Sequence, residues 1–264
     1  MQLFKRTFEA SISYTLDPLS PRLSLEESIF GTGAVPNHPA RTSPISTAAP
    51  PGLESLERPV LQTLAIGSTE LEQVLARCRV ESTTLQGALL AAVLLSLPAQ
   101  NTLQCLSPVN IRSLSSVRPD DFGLYISSGM ANLDRTSPRD FWSLARSARQ
   151  QVVRAFDRQV LKAKADAMAA VVAGRLSPQS LYEQVWRNIG YDAVLTNLGV
   201  FPTMPKVNRF RVTAVYPVLS DELKPTLAVA TAATGLCITM AGTPAMTRLF
   251  PGIIDLLRRN VAQR

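Results

Sequence analysis

Between Thr83 and Leu133 the chain carries the pattern that most restricts its fold. Leu85 to Leu97 reads Leu-Gln-Gly-Ala-Leu-Leu-Ala-Ala-Val-Leu-Leu-Ser-Leu, apolar on nearly every helical face. Such a helix is stable only when protein surrounds it. Thr83 or Thr84 supplies the hydroxyl that caps its start, and Pro98 stops it. Leu103–Ile111 follows as a strand without clean alternation, a pattern expected of a strand covered on both faces. It ends on Arg112, where the core ends. A turn then leads into a second strand, Gly123–Leu133. A buried helix beside two such strands is the core of an α/β layer.

The rest of the composition agrees with a large core. The chain has 264 residues, 46% hydrophobic and 18% charged, which excludes a disordered protein. Its formal net charge is +7, which favours anionic partners such as phosphorylated cofactors or acidic proteins. Arg139, Arg146, Arg149, Arg154, Arg158, Lys162 and Lys164 are spaced like a solvated helix face. No aromatic-interleaved basic motif accompanies them, so no nucleic-acid partner is expected. The cysteines, Cys78, Cys105 and Cys237, are three and far apart, which fits neither a disulfide framework nor a zinc site. They read as small core residues in a reducing compartment. Met1 to Arg6 lacks the apolar run of a signal peptide, and Leu85–Leu97 is too short to span a bilayer. The expected location is the cytoplasm, with no membrane span.

The chain divides at residue 57. Residues 1–57 form an irregular N-terminal segment and Pro-rich linker. Phe4, Phe8, Ile12 and Leu16 suit a short helix or strand, and Leu25 to Phe30 suits a turn of helix. Gly31 to Gly52, with Pro36, Pro39, Pro44, Pro50 and Pro51, is the linker. Residues 58–264 form the main unit. Arg58–Ile66 reads as a strand. Ser68 is the expected N-cap of a helix with Glu70 and Glu72 in its first turn and Leu71, Val74 and Leu75 on its apolar stripe, ending near Arg79. Ser137-Pro138 is expected to open a helix of roughly 20 residues with Phe141, Leu144, Ala148, Val152 and Phe156 inward. Its periodicity continues from Leu161 to Ala173. Ser177-Pro178 opens another helix, with Leu181, Val185 and Trp186. Tyr191–Leu198 is a strand, followed by strands Phe210–Tyr216, Thr226–Thr231 and Gly235–Ala241. Pro244 to Val261 is the last helix. This order implies an α/β or α+β unit, a mixed β-sheet with flanking helices.

The chemistry-bearing residues are few. The single histidine, His38, lies in Asn37-His38-Pro39-Ala40-Arg41 with no carboxylate near it, a poor setting for a general base. There is no Gly-rich phosphate loop and no Gly-x-Ser-x-Gly elbow. Asp120-Asp121 is a carboxylate pair without a metal-ligand cluster around it, so no metal is expected. Arg112 ends a buried strand, where a charge is either paired or faces a cleft. It either holds a carboxylate such as Asp120 or Asp121, or orients a substrate or phosphate group. Thr196, Asn197 and Gly199 stand at a strand end, where a ligand approaches or the chain turns tightly.

Four segments, in order, resemble the C-terminal half of the condensation-domain-like acyltransferases. That superfamily includes peptide-synthetase condensation domains, polyketide-associated acyltransferases and alcohol acetyltransferases. Thr83-Thr84-Leu85-Gln86-Gly87-Ala88-Leu89-Leu90-Ala91-Ala92 resembles its T-hydrophobic-x-x-hydrophobic-hydrophobic-x-A-A helix. Ser107-Pro108-Val109-Asn110-Ile111-Arg112 is similar to its P-V-D-L-R strand end, with Asn110 in place of Asp. Phe122-Gly123-Leu124-Tyr125-Ile126-Ser127 resembles V-G-x-F-V-N/S, and Thr196-Asn197-Leu198-Gly199 resembles S-N-L-G. The similarity runs from about Pro59 onward.

The resemblance implies one lobe of a chloramphenicol-acetyltransferase-like two-lobed fold, with a tunnel between the lobes. It implies transfer of an acyl group, from CoA or a phosphopantetheine-linked carrier, to an alcohol or amine in secondary or lipid metabolism. No cofactor is expected to be tightly bound. Arg112, Ser127, Thr196, Asn197 and Gly199 are the implied substrate-binding residues. The family's base, in an H-H-x-x-x-D-G motif of the other lobe, has no counterpart here, so no catalytic residue is assigned. Pro21-Arg22-Leu23-Ser24-Leu25-Glu26-Glu27 is also similar to the family's R-x-L-S-x-x-E start, which would mean that the lobe between was deleted. The implied partners are a separate N-terminal catalytic lobe or a homo-oligomer, and an acyl carrier protein. The alternative is a non-catalytic binding or scaffold module that retains the lobe fold.

Overall fold

A computed structural model describes residues 60–97, 102–114, 118, 125–134, 140–174, 177, 180, 190–201, 212–217 and 224–262. Strand β1 (Val60–Gly67) runs into helix α1 (Ser68–Val80), then helix α2 (Leu85–Ser96) and strand β2 (Thr102–Asn110). A short 3-10 turn, Arg112–Leu114, precedes strand β3 (Ile126–Asp134) and helix α3 (Phe141–Val153). A second 3-10 turn, Arg154–Phe156, leads to helix α4 (Arg158–Ala173). Strands β4 (Ala193–Val200), β5 (Thr226–Ala232) and β6 (Gly235–Gly242) follow, then helices α5 (Pro244–Thr247) and α6 (Phe250–Ala262).

The strands make a 6-stranded mixed sheet in the order β1-β6-β5-β4-β2-β3. β2, β4 and β5 are parallel, and the other pairings are antiparallel. The mixed sheet with flanking helices is therefore present as expected. α2 is the centre of the helix layer. Its residues Gly87 to Leu94 are all buried, because α3, α6 and the sheet surround it. The Thr84 side chain caps it, accepting from the Gly87 backbone N–H, while Thr83 Oγ1 donates to the Ala145 carbonyl of α3 at 3.0 Å. The paired threonines thus split their work between starting one helix and holding the next.

Several boundaries differ from the sequence reading, each for a local reason. β2 does alternate: Leu103, Cys105, Ser107 and Val109 are buried, whereas Gln104, Leu106 and Pro108 are only half covered. Its hydrophobic second face is thus less enclosed than the unbroken pattern implied. Ser68 is not an N-cap, because β1 runs extended through Gly67 and Ser68 is already helical. Asp140 caps α3, accepting from the Ser143 hydroxyl and, at 2.9 Å, from the Ser143 N–H, and those bonds hold its carboxyl below the usual carboxylate range. The expected continuous helix to Ala173 is interrupted because Asp157 caps a new one, accepting from Gln159 and Val160 N–H. The last helix is broken after Thr247. Pro251 has no N–H for the Thr247 carbonyl and its ring crowds that carbonyl, so α6 begins afresh at Phe250. Residues 212–217 are not a strand. The helix expected after Ser177-Pro178 lies almost wholly outside the described residues, as do residues 1–57.

Candidate functional site

The strand directions bring the C-terminal ends of β2, β4 and β5 to one edge of the sheet, together with the start of β3. In open α/β sheets such an edge is where a crevice forms. Here the crevice has a specific cause. β2 and β4 pair in parallel at Cys105↔Ala193 and Leu106↔Val194. Continued by one residue, that register would have the residue-108 N–H donate to the Leu195 carbonyl. Residue 108 is proline and has no N–H. Two side chains replace it: Ser107 Oγ donates to the Leu195 carbonyl at 3.1 Å, and Gln86 Nε2 reaches the same oxygen at 3.4 Å. Gln86 Nε2 also donates to Ser107 Oγ at 2.5 Å. The ladder ends there, and β2 and β4 are free to part beyond it.

The predicted residues lie around that opening, on different faces. Ser127 pairs with Val109 on β3, on the helix-layer face, and is half-buried. Asn197 pairs with Val229 and shares that face, whereas Thr196, paired with Ala228, points to the other. Asn197 and Gly199 form a β-bulge. Asn197 pairs with Val229 but Val200 pairs with Thr231, so β4 carries one extra residue. Gly199 takes φ +79 to absorb it, and Asn197 Oδ1 accepts its N–H at 2.9 Å. The quartet Thr196 to Gly199 is a bulge within a strand rather than a turn that ends one.

Arg112 stands just past the end of β2. It is half-buried and opens the 3-10 turn. Its guanidinium lies over the Tyr125 ring, 4.5 Å from the centroid, and Nη1 donates to the Arg118 carbonyl at 3.1 Å. Asn110 Oδ1 accepts the Arg112 backbone N–H at 2.9 Å. The ring and the carbonyl together fix the plane of the guanidinium. Its expected carboxylates, Asp120 and Asp121, lie outside the described residues, as does His38.

Gln86 and Ser107 escaped the sequence reading. Each had a signal: a glutamine in an apolar helix, and a fully buried serine before a strand proline. Gln86 Oε1 is buried and has no hydrogen-bond partner among the described residues. Lys164 was also missed as a contact; from α4 it donates to the Ser128 carbonyl and, at 3.3 Å, contacts Ser128 Oγ. Desolvation there lowers its pKa from the ordinary lysine value. Cys78 and Cys105 are buried and poorly suited to act as nucleophiles. Burial pushes the Cys105 thiol up to about 12 and Cys78 up to about 11, so neither forms thiolate near neutrality. A cavity of ≈ 620 Å³ between α1 and α6, crossed by the Glu70–Arg258 ion pair at 2.6 Å, shares no residue with this edge. No group of three or more metal-ligating side chains occurs among the described residues.

The bulge gives a direct test of this geometry. Gly199→Ala is expected to destabilise the protein by about 1–2 kcal/mol, because φ +79 is disfavoured by any Cβ while no atom lies within 4 Å to clash. Urea unfolding measures it. The double variant with Asn197→Ala should lose less than the sum of the two, since both act on one hydrogen bond. Full additivity would show that Asn197 does not hold the bulge.

No family model matches the chain, and no curated protein sequence does. Among solved structures the chain is similar to polyketide synthase associated protein 5 from Mycobacterium tuberculosis, at 17% identity and TM-score 0.54, over 86% of this chain and 56% of that one. It is similar to the SgcC5 protein from Streptomyces globisporus at 12% identity and TM-score 0.55, over 81% and 50%. It is also similar to the enacyloxin polyketide synthase structure described as condensation domain-mediated chain release, at 14% identity and TM-score 0.54, over 78% and 42%. The chain therefore has the condensation-domain and acyltransferase fold, and it spans about half the length of the chains it matches.

Proposed function

We propose that this chain is an acyltransferase-type lobe that shapes the acyl-donor side of a transfer site and works with a second unit that supplies the base. The transfer would run from CoA or a phosphopantetheine-linked carrier to an alcohol or amine, in secondary or lipid metabolism. One observation carries the reading. On a fold shared with condensation-type proteins, Pro108 interrupts the β2–β4 ladder, and Arg112, Ser127, Thr196, Asn197 and Gly199 surround the place where it opens.

Each group has a part that its chemistry allows. The Arg112 guanidinium, held by Tyr125, suits a phosphate or carboxylate. Ser127 and Asn197, on one face of the sheet with β2 between their strands, suit the amide and carbonyl groups of a pantetheine-like arm. The net charge of +7 suits the phosphates of CoA or an acidic carrier protein. The chain's single histidine, His38, stands apart from any orienting carboxylate in sequence, and the base is assigned to the second unit.

Titration calorimetry with octanoyl-CoA tests the binding part. Heat of binding that weakens about tenfold in Asn197→Ala or Arg112→Ala, with unfolding of each variant monitored separately, is the expected result. Absence of binding, or affinity untouched by both changes, removes the donor role and favours a scaffold module. Thiol release from octanoyl-CoA in the presence of 1-octanol tests the division of labour. The purified chain should show none above background. Turnover that survives His38→Ala would place the base among other residues of this chain; turnover lost in His38→Ala would make His38 the base.

A further inference from the structure

Pro108 stands where proline is rare, inside a sheet. β2 lies between β4 and β3, whereas proline is ordinarily confined to edge strands and bulges. Its effect falls on one neighbour only. Toward β3, β2 pairs one-to-one from Thr102↔Asp134 to Asn110↔Ile126, straight through Pro108↔Ser128. The Ile111 N–H donates to the Tyr125 carbonyl at 3.0 Å, so odd-numbered residues along β2 bond toward β3 and even-numbered ones toward β4. The N–H that proline lacks is therefore lost to β4 alone. Pairing with β4 stops at Leu106↔Val194, although β2 runs on to Asn110 and β4 to Val200.

A second irregularity sits at the same point. Leu195 is fully buried, so its carbonyl needs a donor from within the protein. Ser107 Oγ and Gln86 Nε2 both turn to it, and that orientation leaves Gln86 Oε1 buried with no hydrogen-bond partner among the described residues. Any residue other than proline at 108 would give the carbonyl a backbone donor and release the Gln86 amide. The chain instead keeps two departures from ordinary strand chemistry side by side, and such departures gather at functional sites.

We propose that Pro108, Ser107 and Gln86 are positioning residues that terminate the β2–β4 ladder and keep the two strands apart beyond Leu195. Pro108 withholds the bond that would close them. Ser107 and Gln86 stabilise the carbonyl that this leaves. The bulge at Asn197–Gly199 begins two residues further on and bends β4. On the donor role proposed above, which this inference rests on, the separation lets the pantetheine-like arm reach Ser127 and Asn197.

Pro108→Val tests this in the full chain. Valine is close to proline in size, suits a strand and restores the N–H. Its amide should be protected from hydrogen exchange, as a ladder extended to the Leu195 carbonyl requires. Octanoyl-CoA affinity by calorimetry, measured where the variant is fully folded, should weaken about tenfold or more, a change that a merely structural proline would not produce. Gln86→Met together with Ser107→Ala strips the Leu195 carbonyl of both side-chain donors and should lower the unfolding midpoint. In the Pro108→Val background the same pair should lower it by less than about half as much, because the backbone then serves that carbonyl. Pro108→Ala carries the same tests if the valine variant does not fold. A freely exchanging amide at residue 108, or equal losses in both backgrounds, overturns the terminator. A protected amide with unchanged octanoyl-CoA affinity overturns its positioning role. Absence of octanoyl-CoA binding by the unaltered chain overturns the donor role and the positioning role with it, while the amide and the paired variants still decide the terminator.

Discussion

Leu90→Ala should lower the stability of this protein by about 2–5 kcal/mol, the range for truncating a fully buried leucine. Leu90 is 0% exposed and sits in the middle of α2, whose neighbours are α3, α6 and the sheet. The lost methyl groups leave a cavity that the surrounding side chains fill only in part. Because whole domains are stable by only about 5–15 kcal/mol, the change removes a large part of the total. Chemical denaturation gives the number, and the midpoint should fall with little change in slope. Leu85, half-buried at the first position of the same helix, should lose less on the same substitution. A loss below about 1 kcal/mol at Leu90 would mean that α2 is not the packed centre of the layer.

Gly235→Ala is the second large effect, and its origin is backbone rather than core. Gly235 opens β6 with φ +127, a conformation that L side chains rarely adopt. A Cβ there would lie 2.1 Å from the Ile66 carbonyl oxygen and 2.8 Å from the Gly67 carbonyl carbon. Those atoms belong to the end of β1, where it turns into α1, and they have no flexible side chain to swing aside. Backbone strain of about 1–3 kcal/mol adds to overpacking of similar size, so a loss of about 3 kcal/mol or more is expected. Gly242→Ala, at the other end of β6, is the control. Its Cβ would meet Met246 and Pro225 at 3.4 Å, ordinary contact, and should be nearly neutral. Hydrogen exchange should show the Gly235→Ala loss first as opening of the β1–β6 pair. Equal, small effects at both glycines would show that β1 does not approach β6 as closely as described.

Much of the layer was legible because its signals are local. The apolar helix from Leu85, its threonine caps and the order of strands and helices come from periodicity and capping, which neighbouring residues decide. The errors are of two kinds, local breaks that an apolar rhythm hides and segments whose partner is distant in sequence. Asp157 and Pro251 interrupt helices whose apolar rhythm continues unbroken. Residues 212–217, apolar enough for a strand, find no ladder partner within the described sheet. The site was legible in the same uneven way. Thr196, Asn197 and Gly199 were readable as a special backbone position, since glycine and asparagine mark one. That the position is a bulge follows only from pairing with β5.

By itself the sequence determined the buried helix, the mixed α/β class and the polar residues at the strand ends, because burial and backbone conformation are imposed residue by residue. The tertiary structure alone decided what those residues do to one another. Pro108 means little until β4 lies beside it and Leu195 lacks a donor, which Gln86 and Ser107, from 109 and 88 residues away, then provide. Arg112 likewise reads as a charge that must be balanced, and only the return of Tyr125 alongside it turns that charge into a stacked and directed one. Hydrogen bonds and charges act over a few ångströms, and only folding sets which groups come within that distance.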